Sequence, residues 1–182
     1  MPQFMPLTIT QLGEQAGFGA TMHHINWNNN QIKIVVDCGI RFARQDDGTT
    51  RVLSSNNYLE EEKVHSLIIT HAHSDHAAAA PRFVAEHPET MIITTRKVFD
   101  ALKIMLLDTI TNSEREFNTQ SKSNEGLIYK PIFDRNDLEM FLDEDNLNLE
   151  LVEDDELVRD PETGITIQCH YSGHDDGAAS YG

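Results

Sequence analysis

A mixed α/β sandwich is the fold class this sequence predicts, and three observations predict it. Short apolar runs of strand character open the chain before any helical periodicity appears. From residue 67 onward, buried strand-like runs alternate with helical ones, the pattern of β/α units rather than of a helix bundle. The chain also has 182 residues, 39% of them hydrophobic and 24% charged, which suits one ordinary core.

In order, residues 7–12 alternate apolar and polar and read as a first strand, followed by a turn region with three glycines at 13–19. Residues 20–27 return as a second strand and 32–36 as a third, with Asn28-Asn29-Asn30 as the hairpin turn, so the opening is a β-meander. The third strand runs into Asp37-Cys38-Gly39, a carboxylate at a strand end backed by a flexible glycine. Residues 44–62 are polar and weakly periodic and read as loop, with a short helix near Leu59. A buried strand at 67–69 precedes a short helix at 77–86, which tolerates Pro81 only in its first turn. Residues 91–94 form another buried strand. The clearest helix follows at 95–114, where Val98, Leu102, Met105, Leu106 and Ile110 share one face as core. Residues 117–130 read as a mobile loop, 136–142 as a brief helix, 147–152 as a strand and 164–171 as a last strand entering the turn 172–179.

Whole-chain properties exclude several classes. No apolar run reaches transmembrane length, and Met1-Pro2-Gln3-Phe4 lacks a basic n-region, which predicts a cytoplasmic protein without a membrane partner. Cys38 and Cys169 are too few and too far apart for a disulfide framework or a zinc finger, and read as buried small hydrophobes. A net charge of −16 argues against a generic polyanion-binding surface. Its densest runs, 143–145 and 153–156, read as solvated faces.

Chemistry is concentrated in His71-Ala72-His73-Ser74-Asp75-His76, directly after the apolar strand at 67–69. Imidazole nitrogens and carboxylate oxygens are the donors zinc prefers, and a turn leaving a buried strand can aim several of them into one cleft. A second histidine, His174, stands in the glycine-flanked turn Ser172-Gly173-His174-Asp175-Asp176-Gly177. The remaining histidines read as structural. His23 and His24 are adjacent on a strand and face opposite ways, His170 lies in strand rather than helix, and His65 and His87 look like surface residues.

Asp37, the Thr70-to-His76 motif and Gly173-His174 together resemble the first three motifs of the metallo-β-lactamase fold. Met91-Ile-Ile-Thr-Thr-Arg96, Leu106-Leu107-Asp108 and the turn through Ala179 are similar to the β-CASP RNA-processing branch. The resemblance implies a four-layer αβ/βα sandwich, the metallo-β-lactamase type, with a two-zinc site at its edge. His71, His73 and His174 would hold one zinc and Asp75 and His76 the other. Asp37 would orient the motif loop without binding metal, and Asp75 would also align or deprotonate the attacking water. The implied reaction is hydrolysis of RNA or single-stranded DNA phosphodiesters.

The family further requires a bridging aspartate, a last histidine and an inserted β-CASP domain. Residues 1–182 would then be the N-terminal portion of such a domain, incomplete at its C-terminus, with an incomplete second zinc site and, by itself, an inactive one. The rest would come from a longer chain or a homo-oligomer. Asp175 and Asp176 stand where relatives carry apolar residues or proline, and read as an exposed acidic turn or as contacts to metal. The run Ala77–Ala80 lacks the glycine usual after the motif. A small-ester, thioester or lactone hydrolase and a non-catalytic scaffold subunit are the competing functions.

Overall fold

The computed structural model describes residues 6–12, 20–27, 32–44, 50–54, 63–123 and 132–182. Its centre is a six-stranded sheet in the order β1-β2-β3-β6-β7-β8. The strands are β1 (Leu7–Gln11), β2 (His23–Trp27), β3 (Ile32–Val36), β6 (Ser66–Ile68), β7 (Met91–Thr95) and β8 (Leu149–Val152). The first three pair antiparallel, with Ile9 opposite Ile25 and Ile25 opposite Ile34, as the expected meander requires. From β3 onward every pairing is parallel, so β3, β6, β7 and β8 all end at one edge. Parallel neighbours need long crossovers. Here they are the hairpin β4 (Ile40–Arg44) and β5 (Thr50–Ser54), the short helices α1 (Ser74–Ala77) and α2 (Ala80–Glu86), and α3 (Arg96–Ser123) with α4 (Arg135–Leu142).

The alternation of buried strands sorts residues onto two faces. Val35, Leu67 and Ile92 face the helices, packing with Phe83, Phe99, Leu102, Leu106 and Phe141. Val98, Leu102, Leu106 and Ile110 are at most 1% exposed, so the expected stripe on α3 is core. Each such side chain contributes roughly 1.5–3 kcal/mol of transfer free energy. On the other face Ile34, Ile68, Met91 and Ile93 meet Val158, Ile167, Cys169 and Ala179 of a three-stranded sheet. That sheet runs β11-β10-β9, from β9 (Leu157–Arg159), β10 (Thr166–Tyr171) and β11 (Ala179–Tyr181). Helix, sheet and sheet are three of the four layers expected. Among the described residues no helix covers the outer face of the small sheet.

Several elements differ from expectation. Within the segment 44–62 read as loop, residues 50–54 are a strand, β5, paired antiparallel with β4, while Leu59 and the asparagine turn lie outside the described residues. Helix α3 runs on to Ser123, through the first half of the segment read as mobile loop. Strands β9 and β11 have three residues each, too short to show a period. Pro81 falls at the start of α2, where a missing N–H is harmless. Asp134 and Asp137 cap α4 reciprocally through each other's backbone N–H. Both cysteines are buried and free, as expected.

Candidate metal centre

The candidate site lies at the edge where β3, β6 and β7 end, the usual place for a ligand crevice in an open α/β sheet. Asp37 follows β3 in a left-handed conformation, φ +61°, unusual for a residue with a side chain. Its backbone N–H donates to the Ile68 carbonyl at 2.8 Å. The carboxylate accepts the Thr70 backbone N–H at 2.9 Å and the Thr70 hydroxyl at 2.9 and 3.0 Å. It also accepts His76 Nδ1 at 2.7 Å. An ionised carboxylate only accepts, so His76 Nδ1 carries a proton there and Nε2 is turned outward. The Thr70 hydroxyl spends its single proton on Asp37, so its oxygen must accept from His71 Nδ1, 2.9 Å away. That leaves His71 Nε2 as an unprotonated nitrogen. It is buried, and among the described residues no hydrogen-bond partner reaches it.

Burial and the neighbouring imidazoles push His71 down, keeping it in the neutral, ligating form. Burial also acts to lower His76, but the hydrogen bond and charge of Asp37 outweigh it and leave that ring raised. The His71 ring centroid lies 4.6 Å from His73, 4.0 Å from His76 and 5.0 Å from His174. One donor atom from each of His71, His73 and His174 lies within 4.8 Å of the other two. The structure therefore brings together the three histidines expected to share one metal. Asp75, in α1, sits beside them with Oδ2 3.7 Å from His76 Nε2. Both atoms of the expected second pair thus face one another without a hydrogen bond between them.

The local sequence explains how these side chains are seated. Cys38 N–H donates to the His76 carbonyl at 2.6 Å, and Ala79 N–H to the Cys38 carbonyl at 2.9 Å. Gly39 packs so closely on this turn that a Cβ would stand 1.6 Å from the Asp75 carbonyl oxygen. Flexibility is not its role, as the sequence had suggested; absence of a side chain is. The alanine run 77–80 is wholly buried under the hairpin and helices, leaving no space for larger groups. His174 is delivered differently. Its turn closes through Ser172 N–H to the Ala178 carbonyl at 2.8 Å, with Gly173 and Gly177 both at positive φ. Ala179 N–H donates to the Thr70 carbonyl at 3.0 Å, and the buried Thr95 hydroxyl to the Gly177 carbonyl at 2.9 Å. Thr95 and Asp160 escaped sequence reasoning. Asp160 joins the two sheets by accepting the Ser66 hydroxyl at 2.9 Å.

The other histidines behave mostly as expected. His24 is buried, His87 stacks at 4.7 Å on Phe83, and His65 is less a surface residue than read, since its Nδ1 accepts the Lys33 N–H at 3.1 Å. His170 pairs with Asp155 at 2.9 Å and, with Asp154, forms a second exposed grouping of metal-type donors. Asp154 is already engaged by the Tyr171 N–H at 2.8 Å.

Strand order and the histidine-lined crevice define an α/β/β sandwich whose chemistry is carried at the carboxyl ends of its strands. The profile of the Metallo-beta-lactamase superfamily matches residues 27–177, and the chain belongs to that superfamily, whose members are metal-dependent hydrolases. It is 33% identical over 94 residues to Ribonuclease J of Mycoplasma pneumoniae, covering 50% of this chain and 16% of that protein. To Ribonuclease J of Mycoplasma genitalium it is 35% identical over 79 residues, 42% of this chain and 14% of that one. Among solved structures, a subclass B3 metallo-beta-lactamase from a soil metagenome library superposes with a TM-score of 0.51 at 16% identity. The match covers 95% of this chain and 53% of that one. Rm3 metallo-beta-lactamase gives 0.50 at 12% identity, covering 95% and 52%. These likenesses establish the fold, and the chain spans about half the length of those structures. No helix is long and apolar enough to cross a membrane among the described residues.

Proposed function

We propose that residues 1–182 are the N-terminal portion of a β-CASP-type, zinc-dependent nuclease that hydrolyses RNA, or single-stranded DNA, in the cytoplasm. In this reading the remaining strands and the β-CASP domain follow residue 182 or come from an oligomeric partner. The observation that carries the metal is His71 Nε2, buried without a partner at the centre of four imidazoles. A buried polar atom left unsatisfied costs about 1–3 kcal/mol, a penalty that coordination removes. The similarity to the two ribonucleases supports RNA as substrate.

His71, His73 and His174 hold one ion, and Asp75 with His76 the other. Asp37 sets the tautomer of His76 directly and of His71 through the Thr70 hydroxyl. Bound zinc supplies Lewis acidity and an ionisable water near neutral pH. Asp75, two-fifths exposed and free of a hydrogen-bond donor among the described residues, would orient the attacking water and take its proton once the ions are bound. The neutral state of His71 lets it ligate at pH 7 without losing a proton.

A small-ester or thioester hydrolase is the second reading. It is favoured by the acidic rim, where Lys97, the cation beside the His174 turn, is already spent on Asp176 at 2.6 Å. Zinc content and RNA cleavage separate the readings. Near two zinc per chain are expected by mass spectrometry of the metal, dropping below one in His73→Ala. A labelled RNA oligonucleotide should be cut by a zinc-loaded protein that carries residues 1–182 together with the remaining strands and the β-CASP domain, and left whole by its His73→Ala variant. Intact RNA together with turnover of a thioester would overturn the nuclease reading.

A further inference from the structure

We propose that Asp175 is a carboxylate ligand of the His71–His73–His174 metal, an inference that rests on that histidine cluster being a metal site. Asp175 immediately follows His174. Its Oδ1 accepts the Asp176 backbone N–H at 2.8 Å, which fixes the carboxylate and turns Oδ2 towards His73 Nε2, 3.7 Å away. Both side chains are half exposed and free to close on each other. His170 and Asp155, also exposed side chains, do close, to 2.9 Å.

A gap of 3.7 Å is too long for a hydrogen bond. It is close to the spacing of two donors on one tetrahedral ion, about 3.4 Å for bonds of about 2.1 Å. The expected ligands of the other ion, Asp75 and His76, stand at the same 3.7 Å. Each half of the site therefore sets one imidazole and one carboxylate 3.7 Å apart; the three histidines form the tight donor group, and the half-exposed Asp175 carboxylate would swing in from its rim. The buried, unpartnered Nε2 of His71 independently marks the ion's position on the inner side of this group.

Asp176 does not compete for the role, since Lys97 Nζ holds it at 2.6 Å. Among the described residues Asp175 has no lysine or arginine partner, and His73 is the side chain it faces. Three neutral imidazoles leave a divalent ion with its full charge, and the Asp175 carboxylate lowers that charge from within this chain. Sequence places acidic residues at 175 and 176 alike; only the structure distinguishes them.

Cobalt(II) titration of the metal-free protein tests this, read by the visible absorption bands and by calorimetry. Asp175→Asn should weaken cobalt binding at least about tenfold and alter band intensity, as a change of coordination does. Asp176→Asn should leave both within about twofold, and Asp175→Glu should recover part of the affinity. Far-ultraviolet circular dichroism identifies any variant that fails to fold. In that case, calorimetry of Asp175→Glu against wild type decides, unchanged affinity and bands counting against the proposal. Equal binding and identical bands in Asp175→Asn and wild type would overturn the ligand role while leaving the histidine site intact. No cobalt uptake by wild type would overturn the site itself and this inference with it.

Discussion

The two loops that supply the candidate ligands are built on opposite principles. Residues 71–76 are anchored in the core through His71, with His73 reaching the surface. His71 is 7% exposed, the alanines behind it are fully buried, and Asp37, Cys38 and Gly39 clamp the turn from below. Residues 172–176 lie on the surface, with His174 exposed and its turn anchored by the Thr95 and Ala179 bonds and the Lys97–Asp176 pair. The first loop is positioned by packing, which resists change steeply. The second is positioned by hydrogen bonds worth about 1 kcal/mol each, so its order depends more on what binds there.

The strongest way to break that contrast is at Gly39. Gly39→Ala drives a methyl into the Asp75 carbonyl and should cost about 3 kcal/mol. It would be read as a lowered denaturation midpoint, with metal affinity falling in step. A midpoint within experimental error of wild type would show that the ligand loop yields, and that packing does not hold it.

A smaller effect is expected where the loops' two sheets are joined. Hydrogen bonds from Ser66, Thr163 and Glu162 outweigh burial and hold the Asp160 carboxyl below its ordinary value. A carboxyl depressed in the folded state stabilises above its unfolded pKa, about 3.9, and that stability is lost as pH falls through the folded value. Asp160→Asn should therefore cost about 1–2 kcal/mol at pH 7, with the difference shrinking below pH ~4. A difference that stays constant from pH 7 to pH 3 would refute the assignment.

The smallest effect sharpens the comparison most. Thr95→Val removes the bond to the Gly177 carbonyl and should cost about 1 kcal/mol. Cobalt affinity should drop by several-fold more than the same stability loss produces when introduced at the exposed Ile104. Equal losses of affinity would mean that Thr95 does not seat the His174 turn.

Most of this architecture was legible before any coordinates. β-Branched runs at 32–36 and 91–94 announced β3 and β7, and the stripe from Val98 to Ile110 announced the buried face of α3. The clustering of His71 and His73 was legible because a buried strand followed by three imidazoles has few structural explanations. What escaped is tertiary in origin. Strand β5 lies in a stretch of sequence that is polar and weakly periodic, and its antiparallel pairing with β4 has no local signature there. Gly39 looks like any loop glycine until the Asp75 carbonyl is placed against it. Thr95 and Asp160 act across 82 and 94 residues of sequence, a separation at which no local pattern exists.

Those separations also impose an order on assembly. The contact between Asp37 and Thr70 closes a loop of 33 residues, whereas that between Thr95 and Gly177 closes one of 82. The longer closure carries about 0.8 kcal/mol more entropic cost, and on a ribosome it also waits until residue 177 has emerged. The donors at 71–76 would thus reach their geometry first, and a metal captured there would be the template onto which His174 closes.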